Sequence, residues 1–156
     1  MGNLIALDLS LTETGYCLFD EKEQLINSGI ITTKLIGEER IDYIKTTIHT
    51  LIIDYTPENA IIEGYSFGSS GRATFSIGEL GGVIRNLLFE LKIPFINVPP
   101  TSLKKMITGK GNCPKNLMLL KVYKNYGMEF YNDNICDAFA LGKYFFDLKN
   151  KNCDTK

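Results

Sequence analysis

The chain has 156 residues, the size of one domain, and its 44% hydrophobic and 22% charged composition is that of a globule, not of a disordered or fibrous chain. A formal net charge of −1 gives, as a total, no reason to expect a polyanionic partner. No apolar run is long enough to span a membrane, and the start, Met1-Gly2-Asn3-Leu4-Ile5, lacks the basic region of a signal peptide.

The first elements in chain order are strands. Residues 3–9 form a short apolar run, 15–19 follow after a polar turn, and 24–32 form a third run after Asp20-Glu21-Lys22-Glu23. Spacing this tight predicts an antiparallel meander. Over 38–54, Ile41, Ile44, Ile48, Leu51 and Ile52 recur at helical spacing, and Pro57 stops the helix. Ala60-Ile61-Ile62-Glu63 reads as a buried strand ending in a carboxylate. A Gly- and Ser-rich loop over 64–71 leads to a long helix over 73–91, and 93–98 is a fifth strand closed by Pro99-Pro100. Two helices finish the domain. One covers 114–126, with Pro114 in the first helical position, and the other covers 133–148.

The expected architecture is one α/β domain over 1–149 with a polar tail over 150–156. Its sheet is mixed and five-stranded, a three-strand antiparallel meander plus two parallel strands, flanked by helices. A doubly wound sheet would need a helix after the first strand, where there is room only for a turn. Gly78, Gly81 and Gly82 each cost about 1 kcal/mol against alanine in their helix, which close packing on the sheet would explain.

The four cysteines, Cys17, Cys113, Cys136 and Cys153, form no C-x-x-C pair, and His49 is the single histidine. A structural zinc site is therefore not expected, and isolated thiols fit a cytoplasmic protein. His49 sits mid-helix, a poor place for a Ser-His or Cys-His catalytic pair.

The carboxylates are more informative. Asp8 ends an otherwise apolar strand, either as a cap in solvent or as a ligand held over the sheet. Glu63 repeats the arrangement. If these two strands are adjacent and parallel, both acids project at one sheet edge. A third set lies in Tyr131-Asn132-Asp133-Asn134-Ile135-Cys136-Asp137, where Asn134 and Asp137 are i,i+3 and Asp133 and Asp137 are i,i+4. Asn132 or Asp133 serves equally as the N-cap of that helix. Asp137 fits capping less well, because it opens a small apolar stretch suited to packing on the sheet. Asp8, Glu63 and Asp137 together would be an all-oxygen site, which selects Mg²⁺ with Mn²⁺ as its substitute. Two such ions, about 3.5–4 Å apart, stabilise both oxygens of an in-line phosphodiester displacement.

These segments resemble the RuvC-type Holliday junction resolvases of the ribonuclease H-like superfamily. Asp8-Leu9-Ser10-Leu11-Thr12-Glu13-Thr14-Gly15-Tyr16 is similar to that family's first motif, and Ile61-Ile62-Glu63 to its second. The stretch from Thr101 through Lys104, Gly109-Lys110-Gly111 and Lys115 resembles its basic segment, and Asp137-Ala138-Phe139-Ala140-Leu141 its last motif. The resemblance implies a two-ion, Mg²⁺-dependent endonuclease that cleaves Holliday junctions and other branched DNA as a homodimer. It implies Asp8, Glu63 and Asp137 as metal ligands, with Lys104 and Lys115 contacting phosphates near the scissile bond. The family usually has Asp or His three residues before the last acid; here Asn134 stands there, with Asp133 as the other candidate auxiliary ligand. Pro-Gly after the first aspartate is replaced by Leu9-Ser10. Tyr65 or Phe67 lies near the family's base-stacking aromatic, in a loop that ends at Arg72.

Charge distribution agrees. Seven lysines, Lys92, Lys104, Lys105, Lys110, Lys115, Lys121 and Lys124, fall between Leu91 and Met128 with no Asp or Glu, so this +7 segment leaves −8 for the rest of the chain. Lys121 and Lys124 suit a solvated helix face, whereas Lys104, Lys105, Lys110 and Lys115 flank a Gly-x-Gly turn and suit phosphates. The rival readings are a nuclease of the same fold acting on flaps, forks or RNA–DNA hybrids, and a junction-binding protein without catalysis. A nucleotide-binding domain of the actin and sugar-kinase type would need a second lobe, for which the chain is too short.

Overall fold

The computed structural model describes residues 2–64 and 72–153. β1 (Leu4–Asp8), β2 (Thr14–Phe19) and β3 (Leu25–Ile31) are joined by turns too short for a helix, so they pair antiparallel. α1 (Gly37–Tyr55) then carries the chain back to β4 (Asn59–Glu63), which pairs parallel with β1. α2 (Arg72–Glu90) does the same for β5 (Phe95–Val98), parallel to β4. The sheet order is β3-β2-β1-β4-β5, the mixed five-stranded arrangement expected from the sequence.

Alternation along the strands divides the core into two. Ile5, Leu7, Leu18, Ala60 and Ile62 face α1 and α2, where Ile44, Ile48, Ile52, Leu80, Ile84 and Leu88 cover them. Leu4, Ala6, Cys17, Phe19, Ile61 and Val98 face the other way, onto α3 (Pro100–Thr108), α4 (Lys115–Tyr126) and α5 (Asp133–Cys153). By period-two continuation, Asp8 and Glu63 belong to this second face. His49 lies on α1, across the sheet from them.

Four details differ from the sequence reading. α3 is an additional helix: Pro100 opens it, because a proline tolerates a first-turn position, where its missing N–H has no partner to lose. Pro114 is the N-cap of α4, one residue before the helix proper. α5 runs on to Cys153, and within this extension Lys151 pairs with Asp147 one turn back at 2.7 Å. Gly78 and Gly82 do not pack on the sheet: a Cβ on either would meet nothing within 4 Å, and only Gly81 of the three is buried. Cys17, Cys113 and Cys136 are buried free thiols. Among the described residues no helix is long and apolar enough to cross a membrane.

Candidate active site

Register places the first two acids side by side. β1 and β4 run parallel with Leu7 opposite Ile62, so the next residues, Asp8 and Glu63, emerge together at the same sheet edge. On the other side of β1, Asp8 faces Gly15 of β2. The turn between β1 and β2 is tied across its base: the Thr14 hydroxyl donates to the Ser10 carbonyl at 2.7 Å and accepts from the Ser10 N–H at 3.0 Å. Thr14 is fully buried. Leu9 turns to the opposite face and packs with the α1–α2 core, which is the use this chain makes of Leu9-Ser10.

The third acid arrives on α5. Small residues, Ala138 and Ala140, let that helix settle on β1 and β2, and Gly15 is a point of close approach. A Cβ at Gly15 would collide with the Asn134 carbonyl. The glycine opposite Asp8 is therefore what allows the first turn of α5, with Asp137, to close on the acid edge. Asn132, not Asp133, caps this helix: its Oδ1 accepts from the Asn134 N–H at 2.9 Å and the Ile135 N–H at 3.2 Å.

The electrostatics record the convergence. Asp8 is only 8% exposed, and burial, then the charge of Glu63 and a hydrogen bond with it, push its carboxyl up to about 8. Glu63 is also raised, chiefly by burial, with Asp137 adding repulsion. Burial and then Asp8 push Asp137 up to about 7. Two lysines temper this: Lys104, half-buried on α3, and Lys115, at the start of α4, both act on Glu63 and Asp137 in the lowering direction. Neither closes an ion pair with the three acids. Lys115 instead meets Asp133 at 2.6 Å, and that partner holds the Asp133 carboxyl below its usual range.

Of the sequence-predicted site residues, Asp8, Glu63, Asp137, Lys104 and Lys115 come together at one edge. Asp133 is committed to Lys115, and Asn134 donates its amide to Glu13 at 3.2 Å. Lys105 and Lys110 are exposed along α3 and just after it. Tyr65, Phe67 and the Arg72 side chain lie outside the described residues. Among the described residues no three His, Cys, Asp or Glu side chains are drawn into a cage for a single ion; Asp8 and Glu63 stand side by side at the strand ends, and Asp137 is near enough to repel both. Glu13 is the residue that the sequence reading passed over. Its only signal was polarity within the first motif, because its partners lie more than a hundred residues away.

Comparison with known proteins covers nearly the whole chain. The family described as crossover junction endodeoxyribonuclease RuvC matches residues 4–142. A protein of that name from Prochlorococcus marinus (strain NATL2A) is 34% identical over 145 residues, 88% of this chain and 94% of the relative. One from Brachyspira hyodysenteriae is 30% identical over 142 residues, 88% of this chain and 89% of the relative. The solved structure of Thermus thermophilus RuvC in complex with a Holliday junction substrate superposes with a TM-score of 0.79 at 18% identity, covering 96% of this chain and 97% of that one.

Proposed function

The chain belongs to the crossover junction endodeoxyribonuclease RuvC family, and from that membership we propose that it hydrolyses phosphodiester bonds in four-way and other branched DNA, with Mg²⁺, or Mn²⁺ in its place, at Asp8, Glu63 and Asp137. The observation that carries this reading is the meeting of three desolvated carboxylates from β1, β4 and α5 with two lysines at one sheet edge. The donor set fits hard divalent cations: every donor is oxygen, and no ion pair closes on the acids among the described residues. Burial and mutual repulsion leave Asp8 mostly protonated and Asp137 about half-protonated at neutral pH, a deficit of positive charge that a divalent cation relieves.

Two such ions, when bound, polarise the scissile phosphate and lower the pKa of the attacking water. Asp8, Glu63 and Asp137 hold them through carboxylate oxygens and must give up their protons to do so. Asn134 is the neutral auxiliary donor, since Asp133 is taken by Lys115. Lys104 and Lys115 set positive charge beside the acids, where it offsets phosphate charge and aligns the backbone. Lys105 and Lys110 extend the same strip over solvent, so binding weakens with salt. The enzyme acts as a homodimer, because a four-way junction offers two symmetry-related strands. In support, α2 leaves space open over Gly78 and Gly82 and Phe89 76% exposed. A cytoplasmic location completes the reading.

The test incubates a labelled four-way junction with wild type and Asp8→Asn, in Mg²⁺ and in chelator. Paired symmetric nicks are expected only from wild type with Mg²⁺. Cleavage that survives the substitution or the chelator overturns the metal assignment, and cutting of hybrids but not junctions reassigns the substrate.

A further inference from the structure

Glu13 stands immediately before β2, half-buried, on the turn that Ser10 and Thr14 tie down. One of its oxygens, Oε2, accepts from the Asn132 Nδ2 at 3.1 Å and from the Asn134 Nδ2 at 3.2 Å. Asn132 is held at both ends, because its own oxygen caps α5. The carboxylate thus locks the turn that follows Asp8 to the turn that precedes Asp137.

A carboxylate only accepts, so it dictates which way each amide points. The nitrogen of Asn134 faces Glu13, and its oxygen is the end turned away. An unrestrained carboxamide can rotate and present either end, whereas an aspartate offers oxygen in both orientations. An amide ligand therefore needs an outside group to set its orientation, and Glu13 is that group.

We propose that Glu13 is a positioning residue of the nuclease site, which by gripping the amides of Asn132 and Asn134 presents the Asn134 carbonyl oxygen to a divalent cation. The proposal rests on the reading of Asp8, Glu63 and Asp137 as metal ligands. Glu13 itself touches neither metal nor DNA in it.

The test measures Mn²⁺ affinity of the DNA-free protein from the electron paramagnetic resonance signal of unbound Mn²⁺, and four-way junction affinity in Ca²⁺. Glu13→Ala is expected to weaken Mn²⁺ about tenfold, in the range found for groups that orient metal ligands. Glu13→Gln, which keeps an uncharged acceptor oxygen and guards against misfolding, is expected to cost about two- to threefold. Junction affinity should stay within about twofold for both. In an Asn134→Asp background neither substitution should cause a loss, because a carboxylate gains nothing from the clamp. Unchanged Mn²⁺ affinity in both Glu13 variants overturns the proposal. So does an equal loss in both backgrounds, which would make Glu13 a ligand itself, or a loss of junction binding. Asp8→Asn run in parallel separates the two levels: if it leaves Mn²⁺ affinity intact the metal site itself is wrong, and if it alone weakens Mn²⁺ only the role of Glu13 falls.

Discussion

The two faces of the sheet use the same strands to opposite ends. Toward α1 and α2, the inward residues of β1 and β4 are apolar, and Ile5, Leu7 and Ile62 meet a layer built almost wholly of isoleucine and leucine. Toward α5, the row Leu4, Ala6 runs into Asp8, and Ile61 runs into Glu63. The covering helix there presents alanines, and phenylalanines packed edge to face fill its far end. One face is scaffold from end to end. The other is scaffold for most of its length and exchanges packing for charge only at the strand ends. A sheet edge suits this, because backbone pairing on both sides fixes the carboxylates while solvent and substrate can still reach them.

That contrast can be broken first at the acids. Asp137→Asn is expected to lower junction cleavage on the order of 1,000-fold with the fold intact, as read by single-turnover kinetics and circular dichroism. Burial raises the carboxyls of Asp8 and Asp137, so between about pH 4 and pH 8 the folded chain binds more protons than the unfolded one. Stability of the metal-free protein is therefore present at low pH and lost as pH rises through that window. Asp8→Asn should flatten the profile and stabilise the protein at pH 8 by on the order of 2–4 kcal/mol, measured by urea unfolding in chelator. Unchanged profiles would mean that the acids are better solvated than their burial indicates.

Gly15→Ala comes next. It sets a methyl against the Asn134 carbonyl and is expected to cost about 1–3 kcal/mol. Because the strain falls where α5 meets the acid edge, cleavage per folded molecule should drop too. The smallest effect belongs to the scaffold face. Ile48→Val, in the α1 core, should cost about 0.5–1.5 kcal/mol in denaturant unfolding and leave cleavage per folded molecule unchanged. A loss of activity there equal to that of Gly15→Ala would erase the distinction between the faces.

What the sequence determined by itself was most of the elements and which acids stand at the ends of apolar strands. Turns too short for a helix dictate the meander, apolar runs and helical spacing mark the other strands and most helices, and a carboxylate at the end of an apolar strand is legible without coordinates. The lysine strip was equally plain, because charge is a property of composition. α3 escaped because two prolines read as a stop, although one of them is a good helix opener. The tertiary structure alone decided the rest. Register between β1 and β4 put Asp8 beside Glu63, and close approach at Gly15 brought Asp137 to them. Contacts that close over long stretches of chain tied Asp133 to Lys115 and both asparagines to Glu13. Periodicity is a local property and survives in the sequence. The choice among several acids and amides near one edge depends on distances of a few ångströms, which no local pattern encodes.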